Sequence, residues 1–413
     1  MIMSCEGTVA LAGVRVLDLS RVLAGPWCTQ NLADLGAEVI KVERPGTGDD
    51  TRAWGPPWQP AYAHTEQRDA AYFSIANRGK KSLALDIASA QGQAVVRDLA
   101  KQSQILVENF KVGDLARYGL DYASLKAINP ALVYCSITGY GQSGPHAAKP
   151  GYDFIFQGIG GIMSVTGHCD GEPGSGPMRS GLSIVDVMTG MYATVAVLGA
   201  LRHAERTGMG QHVDISLLDC VVAAGANHVT NLVITGEVPY RHGNAHPVMV
   251  PYNVFATADS HIVVAAGNDR QWRTYCKAID RPELGNHPRF RTGSGRLEHR
   301  GELVPILDMQ MRTRTTADWI ERLEQAGIPC GPINDYRDVL NHPQVKHREL
   351  QWAIAREDGT ACPTVRSPLR MSETPVSYTH APPRLGEHNQ EILQGILGWP
   401  EAEANALTDN LIL

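Results

Sequence analysis

Asp186 is the residue of sharpest chemical character in this chain. It stands in Ser180-Gly-Leu-Ser-Ile-Val-Asp-Val-Met-Thr-Gly190, and no further charge follows until Arg202. In the first turn of a predicted helix, free backbone N–H groups favour the anion while apolar surroundings disfavour it. A carboxylate held in that balance is a candidate nucleophile. A second reading competes: Ser183-x-x-Asp186 also fits a helix-start box in which Asp186 caps the backbone.

Two loops at strand ends carry the next candidates. The first predicted strand runs into Ser20-Arg-Val-Leu-Ala-Gly-Pro26, which lacks G-x-G-x-x-G, and Arg44 closes the second where an NAD site would carry an acid. A base there suits a phosphorylated ribose, as in NADP or the 3′-phosphoadenosine of coenzyme A, or is simply a surface residue. A G-x-G-x-x-G string does occur at Gly139 to Gly144, but Pro145, Pro150 and Gly151 leave no helix start behind it to hold a pyrophosphate. It reads as a shaped loop. Among 15 histidines, the one H-x-x-x-H string, His242 to His246, contains Gly243 and runs into Pro247, so it is not helical. No Cys or His cluster has metal spacing and no G-x-S-x-G occurs, so no metal site and no hydrolase elbow are expected. His246 is a candidate partner for a substrate carboxylate, or an ordinary loop residue.

The elements that must position these groups alternate in type. Residues 14 to 43 read as one βαβ unit, with strands at Val14–Leu19 and Val39–Glu43 and Pro26 in the first turn of the helix between. Strands at Ser82–Leu85, Ile105–Val107 and Leu132–Ile137 follow, separated by helices near Gln91–Gln102 and Tyr122–Ala127. Gly139 to Gly181 reads as loop. A long apolar helix, Ile184–His203, precedes a strand at His212–Ile215. This alternation predicts an α/β fold with a doubly wound parallel sheet. Beyond residue 225 a smaller α+β domain is expected, with a strand at Ile262–Ala266, a helix at Arg270–Ala278 and a loop over 285 to 300. A tail from residue 331 has no affiliation fixed by periodicity.

Composition sets the frame. The chain has 413 residues, 43% hydrophobic and 19% charged, and a net charge of −6. That length predicts two domains, and the negative charge argues against nucleic acid. The uncharged run Val187–Leu201 is short for a bilayer. The N-terminus lacks a basic, apolar leader, so a cytoplasmic protein without a membrane partner is expected. Eight scattered cysteines without C-x-x-C predict reduced core thiols.

Taken together, Val16-Leu-Asp-Leu19, Ala24-Gly-Pro26, Leu35-Gly-Ala-Glu-Val-Ile-Lys-Val-Glu-Arg44, Asn77-Arg-Gly-Lys-Lys-Ser-Leu83, Val107-Glu-Asn-Phe110, Gly243-Asn-Ala-His-Pro247, Gly327-Ile-Pro-Cys-Gly-Pro332 and Leu385-Gly-Glu-His388 resemble the class III coenzyme A transferases. The resemblance covers nearly the whole chain. It implies Asp186 as the nucleophile, forming an aspartyl-CoA thioester. It implies Val22, Leu23, Arg44, Leu85, Asn109, Phe110 and Arg117 as coenzyme A contacts, with Tyr152 and Asp153 at the acyl site. It also implies an interlocked homodimer, acyl-CoA as substrate, and no tightly bound cofactor. The expected domains are a large CoA-binding domain over 1–225, a small one over 226–330, and a segment 331–413 returning to the large one. Leu23 stands where formyl-CoA transferase has a glutamine, and that enzyme's four-glycine run is missing. The Gly243–Pro247 and Val250-Pro-Tyr252 segments look more like the dicarboxylate-using branch, with succinyl-CoA as donor and glutarate as a fitting acceptor. The rivals are an α-methylacyl-CoA racemase, whose second acid/base histidine is matched here by Tyr152, and a CoA-binding protein without catalysis.

Overall fold

The computed structural model describes residues 9–412. Six strands form one parallel sheet: β1 (Arg15–Asp18), β2 (Glu38–Glu43), β3 (Lys80–Ala84), β4 (Ile105–Glu108), β5 (Val133–Thr138) and β6 (His212–Ser216). Their order is β3-β2-β1-β4-β5-β6, so the chain winds outward from β1 in one direction and from β4 in the other. Helices in the same unit include α1 (Ala24–Asp34), α2 (Ala90–Lys101), α3 (Tyr122–Ile128), α4 (Asp153–Ile159), α5 (Ile184–Thr207), α6 (Leu217–Ala224) and α7 (Ala226–Thr235).

Alternating side chains explain why the strands read as unbroken apolar runs. Val16, Val39 and Ile105 point into a core closed by Cys28 and Leu32 of α1 and by Val185 and Val197 of α5. Their neighbours Leu17, Ile40 and Leu106 point into a second core, closed by Val95 and Leu99 of α2, Leu125 of α3, and Ile392 and Leu393 near the C-terminus. A sheet covered on both faces requires apolar residues at every position. Helices α1 and α5 approach closely because Gly190 has no side chain: a Cβ there would lie 2.7 Å from the Ala24 carbonyl oxygen.

The chain divides into two compact units, 1–162 with 180–236 and 344–413, and 163–179 with 237–343. These bounds differ from the expected 226–330 small domain: the second unit also takes a piece of the Gly-rich stretch after β5. In the first unit, the Gly79 N–H donates to the His380 carbonyl and the Ala84 N–H to Asn389 Oδ1, so the C-terminal segment runs beside β3. Strands β10 (Gln351–Ala355) and β11 (Ala361–Val365) form a hairpin in that unit. The second unit holds an antiparallel sheet, β7 (Tyr252–Ala256), β8 (His261–Ala265) and β9 (Cys330–Pro332). Helices α8 (Asp269–Ala278), α9 (Arg300–Met311) and α10 (Thr316–Gln325) close its core with Trp272, Tyr275, Leu307 and Trp319.

Three expectations need correction. The stretch 139–181 is not all loop, since α4 and a short helix, Ile162–Val165, lie within it. The stretch 285–300 contains the helix Gly293–Glu298, whose two glycines masked it and whose start Thr292 caps. Helix α5 spans 24 residues, well beyond its uncharged run, and by length and composition alone it is long and apolar enough to cross a membrane. Here it buries Val185, Ala193, Val197, Ala200, Leu201 and Ala204 in the first core.

Candidate active site

The crevice between the carboxyl ends of β1 and β4, where the winding direction reverses, is where an open parallel sheet holds a ligand. A buried ionic network shapes it. At the end of β1, Asp18 meets Lys80 Nζ at 2.9 Å and accepts from Thr29 Oγ1 at 2.6 Å, while the Ser20 N–H donates to its other oxygen at 2.9 Å. Lys41 Nζ reaches the Ser20 carbonyl at 2.8 Å and Asp49 at 2.9 Å. The Asp49 carboxylate accepts the Val22 N–H at 3.2 Å. Asn109, just past β4, grips Arg21 twice, accepting its N–H at 3.0 Å and donating to its carbonyl at 2.7 Å. The network holds Val22 at φ +71°, a conformation a β-branched residue adopts only when its surroundings impose it.

Two cavities open onto this loop. The first, about 380 Å³, is lined by Val22, Leu23, Asn109, Trp54, Lys149, Tyr152 and Asp186 among others. The second, about 300 Å³, is lined by Arg44, Leu85, Asp86, Asp114 and Tyr118 among others. Arg21, Asp50 and Phe110 line both, so the cavities meet at a waist formed by these three side chains. At that waist Arg21 pairs with Asp50 at 3.0 Å.

Asp186 lies in the first turn of α5 and lines the first cavity. The helix-start box does not form, because the Ser183 side chain makes no capping bond. Asp153 of α4 caps α5 instead: its Oδ1 accepts the N–H groups of Val185 at 2.8 Å and Asp186 at 3.2 Å. Its Oδ2 accepts from Gln157 Nε2 at 2.7 Å. Among the described residues no cation pairs with Asp186, which lies beside a second carboxylate. Burial, and then the charge of Asp153, push its pKa up to about 7. Its anion is therefore poorly stabilised.

Most of the residues expected at the site line one cavity or the other, and three do not. Arg117 lines neither cavity; it pairs with Asp114 at 2.9 Å and is largely exposed beside the second. Asp153 is buried behind Asp186, with both oxygens committed, so it supports the helix start and does not line the cavity. Asn109 reaches the first cavity, but its amide is spent on the Arg21 backbone. His246 belongs to the second unit, where its carbonyl accepts from Arg300 at 2.6 Å and its ring packs near Tyr252. Sequence reading missed Arg21, Asp50, Lys111 and Lys149, all cavity-lining charges. It also missed Trp54, whose ring packs edge-on against Tyr72 at 5.2 Å. Burial raises the Tyr72 hydroxyl pKa, and Asp186 and Asp153 add to that rise. Aromatic residues in the Pro-rich stretch 54–74 were the available signal.

A family model described as CoA-transferase family III matches residues 11–389. The chain is 45% identical over 383 residues to a succinate–glutarate CoA-transferase of Agrobacterium fabrum, covering 93% of this chain and 94% of that one. It is 41% identical over 403 residues to a succinyl-CoA:glutarate CoA-transferase of Mus musculus, covering 98% and 90%. Among solved structures, it is similar to a CaiB/BaiF family protein from Brucella suis, with TM-score 0.82, 41% identity, and 94% and 99% of the two chains covered.

Proposed function

The chain belongs to CoA-transferase family III and is an enzyme that transfers coenzyme A, and from that premise we propose that it moves CoA from succinyl-CoA to glutarate through Asp186. The observation that carries this reading is Asp186 itself: a carboxylate with a raised pKa, in a cavity of about 380 Å³ that adjoins a second of about 300 Å³ lined by Arg44.

The Asp186 carboxylate attacks the thioester carbonyl of succinyl-CoA, the C–S bond breaks, and a succinyl–aspartyl anhydride and CoA thiolate result. The thiolate attacks the aspartyl carbonyl, giving an aspartyl-CoA thioester and free succinate. Glutarate then attacks that thioester, and the thiolate it releases takes the glutaryl group from the new anhydride. Each step exchanges one acyl bond for another, so protons and electrons balance without ATP or a redox partner. The protein positions the thioester and excludes water. Arg44 in the second cavity supports a role for it with a ribose phosphate, and Phe110 and Leu23 offer apolar contact to the pantetheine arm. Racemisation needs a second acid or base beside Asp186, and Asp153 has both oxygens engaged with N–H donors.

A homodimer is part of the same proposal. In the first unit, Phe154 and Ile155 of α4, Val195 of α5, and Val233 and Ile234 of α7 are exposed, Val233 to 80%. Apolar area of this kind is normally covered by a partner. The seven cysteines in the described residues are all unpaired, which supports a reducing, cytoplasmic setting. The test of the reaction is mass spectrometry of acyl-CoA products after mixing the protein with succinyl-CoA and a panel of carboxylic acids, with Asp186→Ala alongside. Glutaryl-CoA formed by the native chain and absent with the variant supports the reading. No new acyl-CoA across the panel refutes it.

A further inference from the structure

Glu108 is a buried carboxyl that the reaction above does not use. It ends β4 and is 5% exposed. It lines neither cavity, yet it stands directly before Asn109 and Phe110, which do. Its Oε2 accepts the Phe110 N–H at 2.8 Å, closing a tight bend at the strand end. On the same face of the sheet, register places Glu108 beside Ser136 of β5 and Ser136 beside Asp214 of β6. The Ser136 hydroxyl bonds the Glu108 carboxyl and lies 2.9 Å from His212 Nε2. The His212 ring stacks on Tyr122 of α3 and meets Tyr134 of β5 edge-on. The carboxyl is therefore anchored from behind by Ser136, which His212 holds in turn, and presents an acceptor forward to the bend.

The bend determines the waist of the cleft. Of the three side chains lining both cavities, Phe110 is set by its own N–H on Glu108, and Arg21 by the two hydrogen bonds from Asn109, the residue inside the bend. We propose that Glu108 is a positioning residue for the acyl-CoA chain: by fixing Asn109 and Phe110 it sets the width of the passage between the Asp186 cavity and the Arg44 cavity. It touches no substrate. Losing the acceptor would leave the Phe110 N–H unpaired at a buried strand end and free the bend to relax. The passage would then be mis-set for binding, whereas Asp186, held by Asp153 on a separate helix, would keep its geometry.

This inference rests on the proposed CoA-transfer reaction, and two variants separate its failure from that of the reaction. Glu108→Gln keeps an acceptor oxygen of the same reach, while Glu108→Leu keeps volume and removes the acceptor. With the full-length protein, the expected result is a KM for succinyl-CoA raised about tenfold in Glu108→Leu, with kcat changed less than threefold, and near-native values in Glu108→Gln. A loss confined to stability, with KM unchanged in folded Glu108→Leu, overturns the assignment. If Glu108→Leu does not fold, Ser136→Ala, which removes the rear anchor, takes its place: a raised KM with kcat retained supports the inference, and an unchanged KM overturns it. Inactivity of the native protein would count against the reaction instead, and CoA binding by calorimetry to the native chain and Glu108→Leu would still test the waist.

Discussion

Asp18, buried beneath the loop Ser20–Leu23, and Asp186, which lines the first cavity, are two acids whose surroundings treat them in opposite ways. Burial works to raise both. At Asp18, Lys80, Lys41 and the hydroxyls of Ser20 and Thr29 outweigh it and hold the carboxyl below the usual range. At Asp186 no cation answers, and Asp153 adds a second negative charge, so the carboxyl rises to about 7. The first is scaffold: its charge is consumed in fixing the loop Ser20–Leu23. The second is left uncompensated, which supports the nucleophilic role proposed for it.

Replacing each acid's environment should therefore have opposite signatures. Asp186→Asn should lower exchange by about a thousandfold or more, since the reaction has no other acyl acceptor. The same change should stabilise the fold. The folded pKa of Asp186 lies above the ordinary value near 3.8, so the stability it contributes is present at low pH and is lost as pH rises through about 7. Above pH 7, Asp186→Asn removes that cost, on the order of 4 kcal/mol for a shift from 3.8 to about 7, and below pH 4 it changes little. Thermal melts at pH 4 and pH 8 check this, and equal melting shifts at both would break the contrast. Lys80→Met, on the other side, should destabilise by about 3–5 kcal/mol, because it strands Asp18 in a buried site. A denaturant titration measures it, and a near-native midpoint would show that Asp18 is not the structural acid.

Smaller changes refine the comparison. The kcat/KM of the native enzyme should fall about tenfold per pH unit below 7, as Asp186 takes up its proton. Asp153→Asn keeps an acceptor oxygen for the α5 N–H groups but removes the neighbouring charge. Its acid limb should move to lower pH by about one unit. An unmoved limb would mean that burial alone sets the Asp186 pKa.

How much of this was legible in the sequence depended on the range of the forces involved. The parallel sheet was readable because a strand buried on both faces must be apolar throughout, as Val39 to Val42 and Ile105 to Val107 are, apart from the paired Lys41. The place of Asp186 in the first turn of an apolar helix was readable because an isolated charge there is a local pattern. Its cap was not: Asp153 lies 33 residues earlier, and Ser183 offered a plausible local substitute. The strained Val22 contradicts its own propensity, and only Asp49 and Asn109, brought in by other strands, explain it. Helix α4 escaped notice because it is short and lies within a Gly-rich stretch. The Asn109 amide, expected to face the ligand, faces the backbone instead, a distinction that residue type cannot carry.

The most direct test of the covalent role of Asp186 is to incubate the protein with succinyl-CoA in the absence of an acceptor acid, quench, digest, and map the adduct by mass spectrometry. The account predicts a CoA thioester on the peptide bearing Asp186, converted to a hydroxamate at Asp186 by hydroxylamine and missing in Asp186→Asn. An adduct on a different residue, or full exchange activity with no enzyme-bound CoA at any time, would contradict it.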